Sequence, residues 1–140
     1  MVNYNSSCHC CSVKVTISNK PEYINACNCN LCSKTNNLWG YYNPTDVEIT
    51  GETQTYRNCD KPTPAVELHS CKICSSTTHW FLTEEYKASS GISNQMGVNM
   101  RLFDRDDLIG VEVRFPDTKH YQQGGTLNYR KPAMLIKPSK

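Results

Sequence analysis

Seven of the nine cysteines in this 140-residue chain lie in three short clusters. The clusters read Cys8-His9-Cys10, Cys27-Asn28-Cys29-Asn30-Leu31-Cys32 and Cys71-Lys72-Ile73-Cys74. Zn²⁺ requires thiolates that converge on one point, and closely spaced cysteines on tight turns bring their sulfurs together with little rearrangement of the chain. The spacing therefore predicts zinc binding. Four sulfurs would make a closed structural site, and three would leave one position that suits catalysis.

The first and third clusters are predicted to form the closed site. A CxC pair directly before a strand and a CxxC pair far downstream supply four thiolates, those of Cys8, Cys10, Cys71 and Cys74. A metal bound there closes a long loop of chain, so that part of its binding energy becomes folding energy. This pattern predicts a structural Cys₄ zinc site.

The middle cluster packs the thiols of Cys27, Cys29 and Cys32 into six residues. If the fourth position is open, water or a substrate thiol can occupy it, and the three cysteines become candidate catalytic residues as well as ligands. If a further side chain fills it, the site is a second structural zinc, with Cys11, Cys59 or His69 as the fourth ligand. The spacing leaves both alternatives open, and either way we expect two zinc ions per chain.

Those three candidate fourth ligands also have simpler interpretations. Cys11 adjoins Cys10 and should point to the opposite side of an extended chain, so we expect a spare buried thiol there. Cys59 lies in a polar loop and is expected to be exposed and without a ligand. His69 is a candidate hydrogen-bond donor to a thiolate, with an ordinary strand histidine as the alternative.

Length and composition fit a single zinc-binding domain over residues 1–140. No apolar run approaches the length of a membrane span, and the first residues lack the features of a secretory signal, so we expect a cytoplasmic protein without membrane contact. The odd number of cysteines argues against a complete disulfide framework.

The charge pattern does not indicate nucleic-acid binding. The formal net charge is +2, and thiolate ligation of two zinc ions would lower it to about −1. Lysines and arginines are scattered along the chain, without a concentrated basic and aromatic face. No pattern indicates an oligomeric state.

Alternating apolar and polar residues predict short strands and no sustained helix. The predicted strands cover residues 12–17, 38–42, 47–50, 53–57, 65–70, 77–82, 98–103 and 108–115. Residues 47–50 and 53–57 are expected to form a hairpin. Residues 65–70 and 77–82 are expected to form a second hairpin whose turn is the CxxC pair, which is the usual shape of a zinc knuckle.

The predicted fold is therefore all-β, with small antiparallel sheets tied by zinc knuckles and little helix. Residues 84–97 are expected to be loop, with one helical turn at most. The domain core should cover about residues 4–116, followed by an irregular C-terminal segment over 117–140.

With these residues in place, the chain resembles the glutathione-dependent formaldehyde-activating enzyme family, which includes centromere protein V-like proteins. The matching stretches are Cys8-His9-Cys10 before a strand, Cys27-Asn28-Cys29-Asn30-Leu31-Cys32 before an aromatic strand, Cys71-Lys72-Ile73-Cys74, and Val98-Asn99-Met100-Arg101-Leu102. Their order and intervals agree with the family from about Cys8 to Phe115. The CNCxxC element is the most specific of them.

The resemblance implies a β-tent fold with two zinc sites. Cys8, Cys10, Cys71 and Cys74 would hold the structural zinc, while the three cysteines of the middle cluster would hold the zinc used in chemistry. It also implies a carbon–sulfur lyase that interconverts glutathione and formaldehyde with S-hydroxymethylglutathione. The carboxylates of glutathione would favour cations around the site, for which Arg101 and Lys34 are candidates.

Two departures from the family pattern bear on the pocket. The family usually has Gly after its CHC element and after its CxxC element, where this chain has Cys11 and Ser75. Since Gly permits positive φ, Ser75 indicates a slightly different knuckle or mild strain. Two other functions remain as alternatives: a zinc-stabilised binding module for a protein or nucleic-acid partner, and a zinc protein in which all metal is inert.

Overall fold

Eleven strands in two sheets form the framework of residues 3–139, the part of the chain that this computed structural model describes. The strands are β1 (Tyr4–Ser7), β2 (Lys14–Ile17), β3 (Tyr23–Asn25), β4 (Trp39–Tyr42), β5 (Val47–Thr50), β6 (Thr53–Arg57), β7 (Val66–Cys71), β8 (Thr77–Leu82), β9 (Met96–Asn99), β10 (Glu112–Pro116) and β11 (Tyr129–Leu135). Two short helices, α1 (Asn30–Thr35) and α2 (Glu84–Ser90), complete the fold. The all-β prediction with little helix is confirmed.

The smaller sheet is antiparallel with strand order β1-β2-β5. In β2, Val15 and Ile17 are fully buried while Lys14 is exposed, as the alternating sequence predicts. Val15 and Ile17 pack against Ile24, Val98 and other apolar side chains of the larger sheet. This contact forms the main core and joins the two sheets.

The larger sheet has the strand order β11-β10-β3-β4-β9-β8-β7-β6. All its pairings are antiparallel except that of β10 with β3. Strands β7 and β8 form the predicted hairpin, with the CxxC pair at its turn. Gly97 on β9 lies opposite Trp80 on β8, and a Cβ on Gly97 would meet the indole at 2.0 Å, so only glycine lets this ring lie across the sheet.

The predicted hairpin of residues 47–50 and 53–57 is wrong. Strand β5 pairs with β2, and β6 pairs with β7, so the two strands belong to different sheets. Gly51 turns the chain between them with φ +102°, and a Cβ at this residue would lie 2.1 Å from the carbonyl oxygen of Ser12. A short connection that contains glycine can thus join two sheets as readily as two strands of one hairpin.

Helical turns replace several predicted loops and strand ends. Helix α2 has two turns where one was expected, because Thr83 caps its first turn and Gly91 ends it with φ +73°. The strand predicted at 98–103 ends at Asn99, whose side chain accepts from the amide of Arg101 and starts a 3₁₀ turn. Neither helix in the described part of the chain is long enough to cross a bilayer.

The segment after residue 116 is not irregular throughout. Residues Thr118–His120 form a 3₁₀ turn, and β11 returns to pair with β10 at the edge of the larger sheet. Its seven residues are all exposed, so they carry no burial pattern from which a strand could be predicted.

Candidate metal centres

The first and third cysteine clusters meet in space. The Sγ atoms of Cys8, Cys10, Cys71 and Cys74 all lie within 4.8 Å of one another. Cys10 Sγ lies 3.7 Å from both Cys8 Sγ and Cys71 Sγ. A disulfide would need about 2.05 Å, whereas tetrahedral zinc with Zn–S bonds of about 2.3 Å places its sulfurs about 3.8 Å apart. The four sulfurs therefore fit a closed metal site and not a pair of disulfides.

Each knuckle directs backbone amides at its sulfurs. Val13 N–H donates to Cys8 Sγ at 3.3 Å, and Ile73 N–H donates to Cys71 Sγ at 3.3 Å. Backbone bonds from Cys8 N–H to Val13 O and from Cys71 N–H to Ser76 O close the two loops. Amide donors stabilise the thiolate form that a metal needs, and they fix where each sulfur points.

Two serine hydroxyls add to this stabilisation. Ser12 Oγ lies 3.1 Å from both Cys10 Sγ and Cys71 Sγ. Ser76 Oγ lies 3.3 Å from Cys74 Sγ, and this hydrogen bond is the largest of those that lower the pKa of Cys74 to about 5. The sequence analysis considered the spacing of cysteines alone and did not predict a role for either serine. The available signal was that each serine lies two residues after a predicted ligand.

The two residues that replace the family's glycines both have positive φ. Cys11 has φ +68° and Ser75 has φ +65°, and each directly follows the second cysteine of its knuckle. Cys11 is exposed, so the expectation of a buried thiol is wrong. The left-handed turn at Cys11 breaks the strand-like alternation on which that expectation rested.

The middle cluster also converges, because a short helix brings its last cysteine back. The Sγ atoms of Cys27, Cys29 and Cys32 lie within 4.8 Å of one another. Cys29 is the N-cap of α1, and its Sγ accepts from the Cys32 amide at 3.4 Å. The sequence indicated only a short turn here, because six residues are too few for a helical period to be recognised.

Two neighbouring side chains contact the sulfurs of this cluster. The indole N–H of Trp39 donates to Cys32 Sγ at 3.3 Å, and Thr118 Oγ1 lies 3.0 Å from Cys27 Sγ. Neither residue was a candidate from the sequence. Thr118 is 91 residues from Cys27 along the chain, so only the folded chain reveals this contact.

The hydrogen bonds within this cluster shift the pKa values of Cys27 and Cys32 in opposite directions. Hydrogen bonds from the Cys29 and Cys32 thiols, followed by that with Thr118, lower the pKa of Cys27 far below its usual value. The hydrogen bonds that Cys32 makes to Cys27 and Cys29, followed by burial, raise the pKa of Cys32. Cys27 is thus readily charged while Cys32 keeps its proton, and a bound metal cation would favour the thiolate forms of both.

Within residues 3–139, no fourth cysteine, histidine or carboxylate joins this group. Cys11 belongs to the first knuckle, and Cys59 is exposed, as expected. His69 shares a hydrogen bond with Thr53 Oγ1 at 2.9 Å and stacks on His79 with ring centroids 4.3 Å apart. His69 is therefore a strand histidine and does not donate to a thiolate.

The three-cysteine cluster opens into a cavity of about 440 Å³, which all three cysteines line. Aromatic and apolar side chains form much of the remaining wall: Leu31, Trp39, Tyr41, Ala65, Val66, Leu68, Trp80 and Tyr121. The charged residues of the lining are Asp60, Lys61 and Lys119. The predicted cations Arg101 and Lys34 are not among them, and Arg101 instead donates to Asn36 Oδ1 at 3.4 Å.

Comparison with known proteins identifies one family and a similar fold. A family model described as glutathione-dependent formaldehyde-activating enzyme matches residues 3–115. The crystal structure of a Rhodobacter sphaeroides protein superposes with a TM-score of 0.56 at 18% identity, over 71% of this chain and 87% of that chain. At that identity the similarity concerns the fold alone. A search of curated proteins gave no match.

Proposed function

Because the chain belongs to the glutathione-dependent formaldehyde-activating enzyme family, we propose that it is a zinc-dependent carbon–sulfur lyase with the β-tent fold. Its reaction would join glutathione, or a related thiol, to formaldehyde and cleave the resulting S-hydroxymethyl adduct. Cys27, Cys29 and Cys32 would form the reaction site, and the four-cysteine site would be structural. We further propose that the protein works in the cytoplasm, where its nine free cysteines would stay reduced.

The observation that carries the proposal is the position of the three sulfurs at a cavity. Cys27, Cys29 and Cys32 line a space of about 440 Å³, and no fourth protein ligand accompanies them in the described part of the chain. In the other cluster, Cys8 and Cys71 are only 1% and 0% exposed. A site with three protein ligands beside a cavity suits catalysis, whereas a site with four protein ligands suits a structural role.

The donor set of both sites fits zinc, because soft thiolates at tetrahedral spacing are its preferred ligands. Bound at Cys27, Cys29 and Cys32, zinc would supply Lewis acidity that lowers the pKa of a thiol near neutral pH. Trp39 and Thr118 would orient two of the sulfurs through their hydrogen bonds.

In the forward reaction the thiol sulfur bonds to the carbonyl carbon of formaldehyde. The electron pair of the carbon–oxygen π bond moves to oxygen, and the thiol proton finally resides there. Tyr41 is suited to donate to this oxygen, because its hydroxyl accepts from Asn25 Nδ2 at 3.0 Å and keeps its own proton for donation. Burial raises the pKa of Tyr41 to about 12, so the proton stays in place at neutral pH.

A direct assay of adduct formation tests the proposal. Zinc-loaded protein is mixed with glutathione and formaldehyde, and S-hydroxymethylglutathione is followed by NMR exchange spectroscopy against the uncatalysed rate. We expect acceleration by the wild-type protein and none by Cys29→Ser, which keeps the four-cysteine site and hence the fold. A wild-type rate equal to that of buffer would reject the function.

A further inference from the structure

The cavity has a wall that the family match does not cover. The match ends at residue 115, whereas Thr118, Lys119 and Tyr121 all line the cavity. These residues lie in the connection between β10 and β11, residues 117–128, which we call the β10–β11 connection. This part of the site therefore lies outside the residues that the family model matches.

Asn28, which lies between two cysteines of the site, holds the β10–β11 connection in place. Its Nδ2 donates to Asp117 Oδ1 at 2.9 Å, and its Oδ1 accepts from Lys119 N–H and from Thr118 Oγ1, both at 3.0 Å. The Asn28 amide N–H donates to Thr118 Oγ1 at 3.3 Å. Four hydrogen bonds thus tie residues 117–119 to Asn28 beside the cysteines, three through the side chains of Asp117 and Thr118 and one through the backbone N–H of Lys119.

This anchoring places a cation at the cavity without a carboxylate partner. None of the ion pairs found in residues 3–139 involves Lys119. The one carboxylate in the lining, that of Asp60, accepts instead from Asn30 Nδ2 at 3.4 Å. Lys61 also lines the cavity, but Lys119 is the lysine whose backbone is bonded to the cysteine segment.

We propose that Lys119 is a specificity-determining residue that selects thiols carrying a carboxylate over neutral thiols. The inference rests on the proposed function, since it assumes that a thiol enters the three-cysteine cavity. The ammonium pairs with a carboxylate of the ligand while the sulfur of the ligand lies toward Cys27, Cys29 and Cys32. Because the backbone N–H of Lys119 donates to Asn28 Oδ1, forming the pair requires ordering only the lysine side chain and not its backbone.

Binding of two matched thiols tests the assignment. Zinc-loaded wild-type and Lys119→Met proteins are titrated by calorimetry with glutathione and with its dimethyl ester, in which both carboxylates are capped. We expect Lys119→Met to weaken glutathione binding by about 3- to 10-fold and to change ester binding by less than about 2-fold. Both tryptophans of the chain line the cavity, so quenching of their fluorescence reports whether the ligand is bound there.

A second lysine provides the matched control. Lys137 is exposed and outside the cavity lining, so Lys137→Met removes the same charge and should leave both affinities at wild-type values. The role of Lys119 is overturned if Lys119→Met binds glutathione as tightly as wild type, or if its affinities for glutathione and for the ester fall by the same factor. Either result leaves the proposed function unaffected. If wild type binds neither thiol, both are overturned.

Discussion

At the scale of single residues, both knuckles use a left-handed turn at a position where this chain has no glycine. Cys11 and Ser75 adopt φ +68° and +65°, a region that costs an L-residue about 1–2 kcal/mol. The resemblance to the family indicated both positions as departures, and the structure shows that both adopt the left-handed region. Both knuckles therefore use a backbone conformation that glycine would adopt without this cost.

Replacing Ser75 with glycine should relieve this strain. We expect Ser75→Gly to raise the free energy of unfolding of the zinc-loaded protein by about 0.5–1 kcal/mol. This gain is the strain relieved in the folded state minus the cost of the greater conformational entropy that glycine gives the unfolded chain. Denaturant unfolding at a fixed excess of zinc measures the effect. The control Ser89→Gly, within helix α2, should destabilise by a similar amount. Destabilisation by Ser75→Gly would contradict the account of the knuckle.

Tyr41 is the residue on which the chemical step of the proposal can be tested. Tyr41→Phe removes the proposed donor to the developing oxyanion and should lower the catalysed rate by about 10- to 100-fold. Glutathione affinity, measured by calorimetry, should stay near wild type because the ring is retained. An equal loss in binding and in rate would show that Tyr41 only shapes the cavity.

At the scale of elements, the connection between β5 and β6 holds the first knuckle against the larger sheet. Gly51 lies directly on the backbone of Ser12 and Val13, and Lys72 N–H donates to Glu52 O at 3.5 Å. The turn between the two sheets therefore lies beside both knuckles of the four-cysteine site. A change in this turn should act on metal binding as well as on the packing of the sheets.

Gly51→Ala should damage the four-cysteine site. A Cβ 2.1 Å from Ser12 O, added at a positive φ, cannot be accommodated without moving the backbone. We expect a loss of more than about 2 kcal/mol in unfolding free energy, together with faster zinc release to a chelator. Gly91→Ala also has positive φ but meets nothing within 4 Å, so it should cost only about 1 kcal/mol and leave zinc release unchanged.

The β7–β8 hairpin carries a stacked histidine pair, of which His79 is buried and should make stability depend on pH. Burial, and then the neighbouring His69, lower the pKa of His79 to about 3, below the unfolded value of about 6.5. Below pH 6.5 the unfolded chain binds a proton that the folded chain does not, so stability falls as pH decreases. Above that pH the contribution of His79 is constant.

We expect His79 to account for a loss of about 2 kcal/mol between pH 7.5 and pH 5. The measurement is denaturant unfolding at several pH values with excess zinc, comparing wild type with His79→Gln. The unfolding free energy of His79→Gln should fall less steeply with decreasing pH than that of wild type. His9→Gln, at an exposed position, should show the same pH dependence as wild type. Parallel slopes for wild type and His79→Gln would contradict the prediction.

At the scale of the whole molecule, the sequence predicted the fold class and both cysteine groups because zinc ligation needs recognisable local spacings. It did not predict which strands share a sheet, since β5 and β6 satisfy the pattern of a hairpin but separate at Gly51. It also missed the cations of the cavity. Lys119 reaches the site through the β10–β11 connection, and its contact with Asn28 spans 91 residues of chain.

The two sites should also differ in how they release metal. The three-cysteine group lines the cavity and has no fourth cysteine, histidine or carboxylate among the described residues, whereas the other group has four cysteines. A chelator should therefore remove one zinc quickly without loss of circular dichroism, and the second slowly as the protein unfolds. Release of both ions in a single phase would contradict this difference in the number of protein ligands.

The most direct measurement of the central claim is cobalt substitution at both sites. Wild-type protein should bind two Co²⁺ ions per chain in tetrahedral thiolate environments, and glutathione should shift the absorption bands of one of them. Cys29→Ser should bind one Co²⁺ ion whose spectrum does not respond to glutathione, while the fold is kept. A wild-type spectrum that is unchanged by the thiol, or a protein that binds only one ion, would contradict the account.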